Sequence, residues 1–322
     1  EEFEASEDVF FAEGPAGFLQ GVAAINCHLY NSWQRDALVH AFNYTHYVEN
    51  VKDNTIYPMK SPLPSGIEYG RDDYDYATLD LEYARQVMID NYAGSVDISG
   101  LSATDAHDDP AWKAIADSAD PLFEINLTYY GPSIGNQDMS LMMEDNFPKI
   151  GVKYTGDPID ADRWTEITHD TSLLDTFGMF LIYWAPDYLE AGNQLDPIYM
   201  TGASTNMMQY SNSEVDTLLQ EAAESVDVAV RKANYERVQE IIIEEDHPVL
   251  MFLRSKTYEI HTIHLSRYYV NSMGYLAYYY AKWTPPPVPG DEPPVEEGIP
   301  GYSLGFLLTA IGASALLLMK KA

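Results

Sequence analysis

One cysteine, Cys27, stands in 322 residues, which excludes an intramolecular disulfide and any multi-cysteine zinc or iron–sulfur site. A lone cysteine of this kind is ordinarily a small buried hydrophobe. Positive charge is also scarce: 18 Lys and Arg face 50 Asp and Glu, a formal net charge of -32. A surface this negative repels phosphate backbones and anionic headgroups, which argues against a nucleic-acid partner. There is no H-E-x-x-H, no G-x-S-x-G and no P-loop lysine motif. Gly202-Ala203-Ser204-Thr205-Asn206 departs from the nucleophile elbow at its last position. No enzyme activity, cofactor or metal is expected. His261-x-x-His264 lacks a third ligand, and on an alternating strand its two rings point to opposite faces. Asp105, Asp108 and Asp109 beside His107 lack the spacing of a calcium loop and read as a solvated acidic loop.

What is present is apolar mass: 46% hydrophobic and 13% aromatic, enough for a large core. The C-terminus divides into three parts. Residues 285–298 are rich in Pro and Glu and read as an extended linker. Residues 299–319 carry no charge over 21 positions, enough for a transmembrane helix across about 30 Å of hydrocarbon. Lys320 and Lys321 follow in a short tail, 320–322. By the positive-inside tendency the tail is cytoplasmic and residues 1–298 are extracellular, held at the cell membrane by a single pass. Pro300-Gly301-Tyr302, the span and the Lys pair resemble archaeal C-terminal anchor and sorting tails.

Through about residue 284 helical and strand patterns alternate, which predicts an α/β fold without internal repeats. One helix is expected over about 34–48, capped by Asn31 or Ser32, with Leu38, Ala41, Phe42 and Thr45 on one face. A second starts at Thr78 or Asp80 and carries Leu81, Ala84, Val87 and Met88 inward. Phe123 to Tyr130 alternates like a strand, and a Met-rich helix over about 137–147 leads to a strand at 151–154. The apolar run 177–184 suggests a strand buried on both faces. Ser213-x-x-Asp216 looks like a capping box, with Val215, Leu218, Leu219 and Ala222 behind it. A long helix over 227–246, with Val228, Tyr235, Val238 and Ile242 inward, ends at Pro248 before a strand at 248–253. Asn43-Tyr44-Thr45 and Asn126-Leu127-Thr128 are glycosylation sequons set in these predicted regular elements.

Several of these segments carry a resemblance. Arg35-Asp36-Ala37-Leu38-Val39-His40-Ala41-Phe42-Asn43 resembles a helix of the family 5 extracellular solute-binding proteins, the peptide-, oligopeptide- and nickel-type receptors of ABC importers. Asp80-x-x-x-Ala84-Arg85 resembles the helix that follows. Phe177 to Tyr188 resembles the family's strand and binding turn, Tyr210 to Leu219 its "Y-(S/K)-(N/S)-P" segment, and Glu236 to Val249 its penultimate helix and strand. Gly178 stands where Asp is usual, Tyr183 where Gly precedes the Trp, and Ser213 where Pro is common. Pro148 interrupts a helix that usually continues, and the expected Asp-Pro is displaced to Asp196-Pro197.

The resemblance implies a two-lobed periplasmic-binding-protein-like fold of the large class, of which this chain holds the second lobe and the edges of the first. Residues 1–19 would be an edge of the first lobe and hinge, 20–248 the second lobe, and 249–284 the return to the first. A signal peptide and most of the first lobe would lie outside the 322 residues. The implied activity is capture of peptides by lobe closure and delivery to ABC permease and ATPase subunits. An oligosaccharide ligand, or a surface adhesion or S-layer-associated role, is the alternative. Asp187 falls where the family holds a ligand ammonium, with Trp184 and Tyr183 as walls; Tyr188, Tyr210 and Asn206 are further candidates. The 25 Tyr suit adaptable aromatic surfaces, although Tyr278-Tyr279-Tyr280 reads as strand packing. Arg35, at a helix start, reads as a structural ion pair.

Overall fold

The alternating segment forms strand β3, Phe123–Tyr130, and leads through helix α5, Ile134–Asn146, to the parallel strand β4, Val152–Ile159. Helix α6, Ala161–His169, then returns the chain past β3 to β5, Met179–Trp184, which is parallel to β3 on its other side. The chain crosses from β3 to β4 in one direction and from β4 past β3 to β5 in the other, an order that leaves a crevice at the carboxyl ends of the strands. In this computed structural model residues 8–285 are described, except 72, 75–77, 269, 272 and 274–280. The linker beyond 285, the span at 299–319, the tail and the run at 278–280 lie outside the described residues. Among the described residues no helix is long and apolar enough to cross a membrane.

The sheet is completed by β1, Val9–Ile25, β6, Val249–Thr262, and the short β2, Ile56–Tyr57, in the order β2-β6-β1-β5-β3-β4. It is mixed, since β1 runs antiparallel to both β5 and β6. Only Gln20–Ile25 of β1 pairs with β5, whereas its pairing with β6 runs from Val9 to Ala24. The two strands therefore continue beyond the sheet as a ribbon, with register shifts between Glu13 and Ala16 and between Ala16 and Gln20. Composition hid β1, because Gly14, Pro15 and Gly17 break its pattern. A Cβ on Gly17 would lie 2.1 Å from Ser255 Oγ, so the two backbones approach where a side chain has no room.

The long helix expected over 34–48 is two pieces. Helix α1, Ser32–Ala41, has a capping box between Asn31 and Gln34; Phe42 then turns extended, and Asn43 caps the short α2, Tyr44–His46. Leu38, Ala41 and Phe42 are buried as expected, but Thr45 is exposed because the break rotates it off that face. Helix α3, Leu81–Asn91, begins at Asp80 as expected. Helix α4, Asp109–Ala116, precedes β3 and buries Trp112. Helix α7, Ala191–Tyr199, follows β5, and α8, Ser213–Glu224, is capped by Asn212. The capping box expected at Ser213 does not form: Asn212 already takes the free N–H groups of Glu214 and Val215, and Asp216 accepts from the Thr201 N–H instead.

Helix α9, Val228–Glu240, buries Tyr235 and Val238 but leaves Val228 62% exposed, since its first turn extends beyond the packed surface. It passes into a π-helical turn, Ile241–Asp246, and then into β6. Strands β7, Leu265–Ser266, and β8, Lys282–Trp283, pair at the end of the described chain. His264 lies in the turn before β7, beyond the end of β6, and His261 Nε2 is 3.1 Å from Glu259 Oε1.

Among the described residues Arg35 pairs with no carboxylate. Its Nε and Nη2 donate to the Asp246 carbonyl at 2.9 and 2.6 Å, and Nη1 donates to the Tyr30 carbonyl at 2.6 Å. Two charge-assisted bonds thus tie α1 to the entry of β6, and the third ties it to the segment just before α1. Arg35→Ala would strand two buried carbonyls, and about 3 kcal/mol of stability should be lost. Urea unfolding followed by circular dichroism checks this; a loss of under about 1 kcal/mol would refute the clamp.

Candidate ligand-binding site

The crevice at the carboxyl ends of β3, β4 and β5 holds about 360 Å³, lined by Tyr130, Ser133, Asn136, Ala161, Trp164, Thr165 and Tyr183. The helices that leave these strands begin there: Ser133 caps α5 and Asp160 caps α6. Trp164 stacks on Phe180 of β5, ring centroids 4.5 Å apart, and meets Tyr130 edge-on. The walls are aromatic, with a few polar groups between them, as small-molecule sites usually are.

The first four residues of β5 are buried, as the apolar run predicts, but Tyr183 is 39% exposed at the crevice and Trp184 is half-buried. The Tyr183 hydroxyl donates to Asn136 Oδ1 at 2.7 Å, and burial pushes its pKa up to about 12. Asn136 is itself buried, its amide turned to the Tyr130 carbonyl at 3.4 Å, so it fixes the phenol from behind.

Asp187 and Tyr188 stand exposed on the turn after β5. The turn is shaped by Asn193, in the first turn of α7. Its Oδ1 accepts the N–H of Asp187 at 2.6 Å and of Tyr188 at 3.4 Å, and its carbonyl accepts Trp184 Nε1 at 3.2 Å. Glu190 caps α7 by accepting the Asn193 N–H. With its backbone held this way, the Asp187 carboxylate needs no partner and has none among the described residues. Neither Asn136 nor Asn193 was singled out from sequence. The only available signal was an amide residue three positions past a helix cap, a pattern common to many helices.

Tyr210 and Asn206 are placed elsewhere. Both are buried: Asn206 Nδ2 donates to the carbonyls of Met200 and Tyr210, and its Oδ1 accepts the Tyr210 N–H. The Tyr210 hydroxyl donates to Asp246 Oδ2 at 2.6 Å, and burial raises its pKa well above the usual phenol value. The side-chain polar atoms of this pair are occupied within the loop or by Asp246; Tyr183 lines the crevice and Tyr188 a separate hollow, and Trp184 and Asp187 are not among the residues lining either.

Gly178 accounts for one departure from the family's sequence pattern. A Cβ there would meet Ile125 Cγ1 and the Tyr30 hydroxyl at 2.8 Å, so no Asp fits. Asp105, Asp108 and Asp109 are also explained. Asp105 caps a helical turn, Asp108 accepts the Ser102 N–H, and Asp109 pairs with the buried Arg85. Among the described residues no cluster of three or more metal-binding side chains converges.

Beyond Tyr188 a second hollow of about 390 Å³ is lined by Glu190, Asn193, Asp196 and Arg231 among others. Burial, and then the neighbouring Glu190, push the Asp196 carboxyl up from 3.8 to about 6. Its Oδ1 is enclosed with no hydrogen-bond partner among the described residues.

Two measurements check these placements. Asn193→Ala removes the acceptor for two N–H groups, and hydrogen exchange at Asp187 and Tyr188 should speed up about tenfold while β3 stays protected, corresponding to about 1.4 kcal/mol. Equal acceleration across the sheet would mean general destabilisation instead. For Asp196 the folded pKa lies above the unfolded one. The neutral acid's contribution is therefore fully present below pH 3.8 and lost as pH rises through about 6. Asp196→Asn should therefore stabilise the fold at pH 7.5 by about 2 kcal/mol, with the gain shrinking between about pH 6 and 4. A gain independent of pH in urea titrations would refute the assignment.

Residues 18–206 match the family described as bacterial extracellular solute-binding proteins, family 5, middle region. No curated protein sequence matches the chain. Among solved structures, HbpA2 from Haemophilus parasuis superposes with a TM-score of 0.67 at 18% identity, over 88% of this chain and 51% of its own. A dipeptide-binding protein from Pseudoalteromonas sp. SM9913, solved with Met-Leu, gives 0.67 at 18%, over 88% and 52%. NikA from Staphylococcus aureus, solved with Ni(L-His)2, gives 0.67 at 17%, over 88% and 55%. This chain thus spans about half the length of the structures it matches, and at such identities the likeness shows the mixed α/β periplasmic-binding-protein-like fold alone. With the family matched over more than half of its length, the chain belongs to the bacterial extracellular solute-binding proteins of family 5.

Proposed function

We propose that this chain is the substrate-binding component of an ABC importer, that its ligands are peptides, and that Asp187 holds their terminal ammonium. The observation that carries the reading is the Asp187 carboxylate, exposed and without a partner among the described residues, on a turn whose backbone Asn193 fixes. Tyr183, Trp184 and Tyr188 flank it in sequence on the same strand end and turn. An ammonium binds a carboxylate through charge-assisted hydrogen bonds, and aromatic faces accept side chains of varied shape. The dipeptide bound by the Pseudoalteromonas relative and the Ni(L-His)2 bound by NikA both belong to proteins of this fold. Tyr183, standing where the family pattern has Gly, fills crevice space with a phenol and favours short ligands.

The same proposal includes the remaining chain. Residues 20–248 serve as the second lobe, 1–19 and 249–284 belong to the first, and lobe closure buries the ligand before delivery to permease and ATPase subunits. The 285–298 linker and the 299–319 helix hold the binding domain outside the membrane, with Lys320 and Lys321 inside.

Calorimetry on the complete extracellular protein with a di- and tripeptide library tests the reading. Binding should appear for peptides with a free amino terminus. Asp187→Ala should weaken these at least about tenfold and leave N-acetylated analogues unchanged, a difference of about 1.4 kcal/mol. A library that gives no heat while nickel–histidine chelates do would replace peptides with metal chelates as the ligand class. Equal losses for free and acetylated peptides would remove Asp187 from the site.

A further inference from the structure

The two sequons read alike in the sequence, yet the fold treats them in opposite ways. Asn43-Tyr44-Thr45 falls where the expected helix breaks. Phe42 is extended at φ -87, ψ 133, and Asn43, at φ -88, ψ 81, starts α2. Asn43 Oδ1 accepts the His46 N–H at 3.0 Å, while its Nδ2 has no hydrogen-bond partner among the described residues. Tyr44 between them is buried, its hydroxyl on the Val39 carbonyl at 3.0 Å and its ring edge-on to Phe42. Thr45 is exposed, on the rim of a groove beside Glu49 and Lys60. The middle residue anchors the tripeptide and leaves the acceptor amide and the hydroxyl on the outer side.

Asn126-Leu127-Thr128 lies in β3, with β4 on one side and β5 on the other. Asn126 Oδ1 accepts the Gly178 N–H at 2.7 Å and its Nδ2 lies 3.4 Å from Thr128 Oγ1. Thr128 is buried, and its hydroxyl donates to Asp157 Oδ2 at 3.2 Å. A sugar on Asn126 would have to displace Gly178, whose Cα has no space around it.

We propose that Asn43 is an N-glycosylation site of this protein and that Asn126 is not. The proposal rests on the external placement given above. The donor is an oligosaccharide linked to a lipid phosphate. Asn43 Nδ2 bonds to the anomeric carbon and loses one proton, while the bond from that carbon to the phosphate oxygen breaks and its electron pair leaves on the lipid phosphate. No oxidation is involved. Asn43 Oδ1 takes no part and still accepts the His46 N–H, so a glycan leaves the α2 cap intact.

Trypsin separates the two sites, because cleavage after Arg35 and Lys52 releases 36–52, and cleavage after Lys113 and Lys149 releases 114–149. In protein taken from the surface of its own cells, 36–52 should carry sugar mass increments on Asn43 and 114–149 none. Thr45→Val should abolish the increment. Asn43→Asp should abolish it too while keeping the cap acceptor, and the melting midpoint of unglycosylated recombinant protein should be unchanged by that variant. An unmodified 36–52 peptide, increments on 114–149, or an increment that survives Thr45→Val would each overturn the proposal. Protease shaving of intact cells reads external placement separately. A protein that is shaved but unmodified overturns the glycan alone, whereas one that resists shaving overturns the placement as well. Peptide binding by unglycosylated protein is independent of either result.

Discussion

Asp246 is the junction on which the second half of the fold depends. Its carbonyl takes two bonds from Arg35 of α1, and its carboxylate takes the Tyr210 hydroxyl at 2.6 Å and Asn212 Nδ2 at 2.7 Å. Asn212 in turn caps α8, and the residues after Asp246 enter β6. His247 follows in the left-handed region, φ 46, ψ 48, a conformation that needs its neighbours held firmly. A half-buried carboxylate with neutral donors on both sides avoids most of the penalty of an isolated charge and orients three segments at once. That role also explains Tyr210, which serves this junction with its only polar atom.

Local patterns carried the regular elements well. The period-2 run of β3 and the caps at Asn31 and Asp80 lie where residue type and spacing place them. What was not legible depended on contacts distant in sequence. Strand β1 carries Gly and Pro that read as a turn and is made a strand by its pairing with β6, more than two hundred residues away. The break at Phe42 has no Gly or Pro to announce it. Of the candidate site, Tyr183, Trp184, Asp187 and Tyr188 could be named because they stand close together on one strand end and turn. Asn136 and Asn193 could not, because what marks them is the direction of one amide oxygen.

The crevice is tied to the rest of the sheet by a buried polar chain. Gln194 of α7 donates to Gln20 of β1 at 2.7 Å, Gln20 reaches the Ser61 carbonyl at 3.3 Å, and Ser61 Oγ donates to Gln239 of α9 at 2.6 Å. All four residues are buried. Gln194 Oε1 is buried without a hydrogen-bond partner among the described residues, so the chain specifies an arrangement of helices around β1 rather than adding much net stability. Gln194 is the neighbour of Asn193, so the residue that shapes the turn after β5 is seated next to this buried chain. Under the proposed function, in which the turn presents the Asp187 carboxylate to a ligand, such support behind it holds that group in place.

In a chain of 50 acids, charge alone does not single out the one that recognises a ligand. Most of the acids near the sheet are engaged: Asp80 and Asp160 cap helices, Asp109 pairs with Arg85, Glu190 with Arg231, and Asp138 with Lys52 at 3.0 Å. Asp196 is enclosed, and its raised pKa keeps part of its charge suppressed near neutral pH. Asp187 differs in both respects. Its backbone is fixed by another residue's side chain, so its own carboxylate is not needed for structure, and it stands exposed, open to exchange water for a ligand donor. The surrounding negative field adds a long-range attraction for cationic ligand ends, screened beyond about 10 Å at ordinary salt. Over that distance the field gathers cations without distinguishing among them. Under the proposed function the distinction is made within hydrogen-bond reach, by an acid whose backbone is positioned by Asn193 and whose carboxylate has no partner among the described residues.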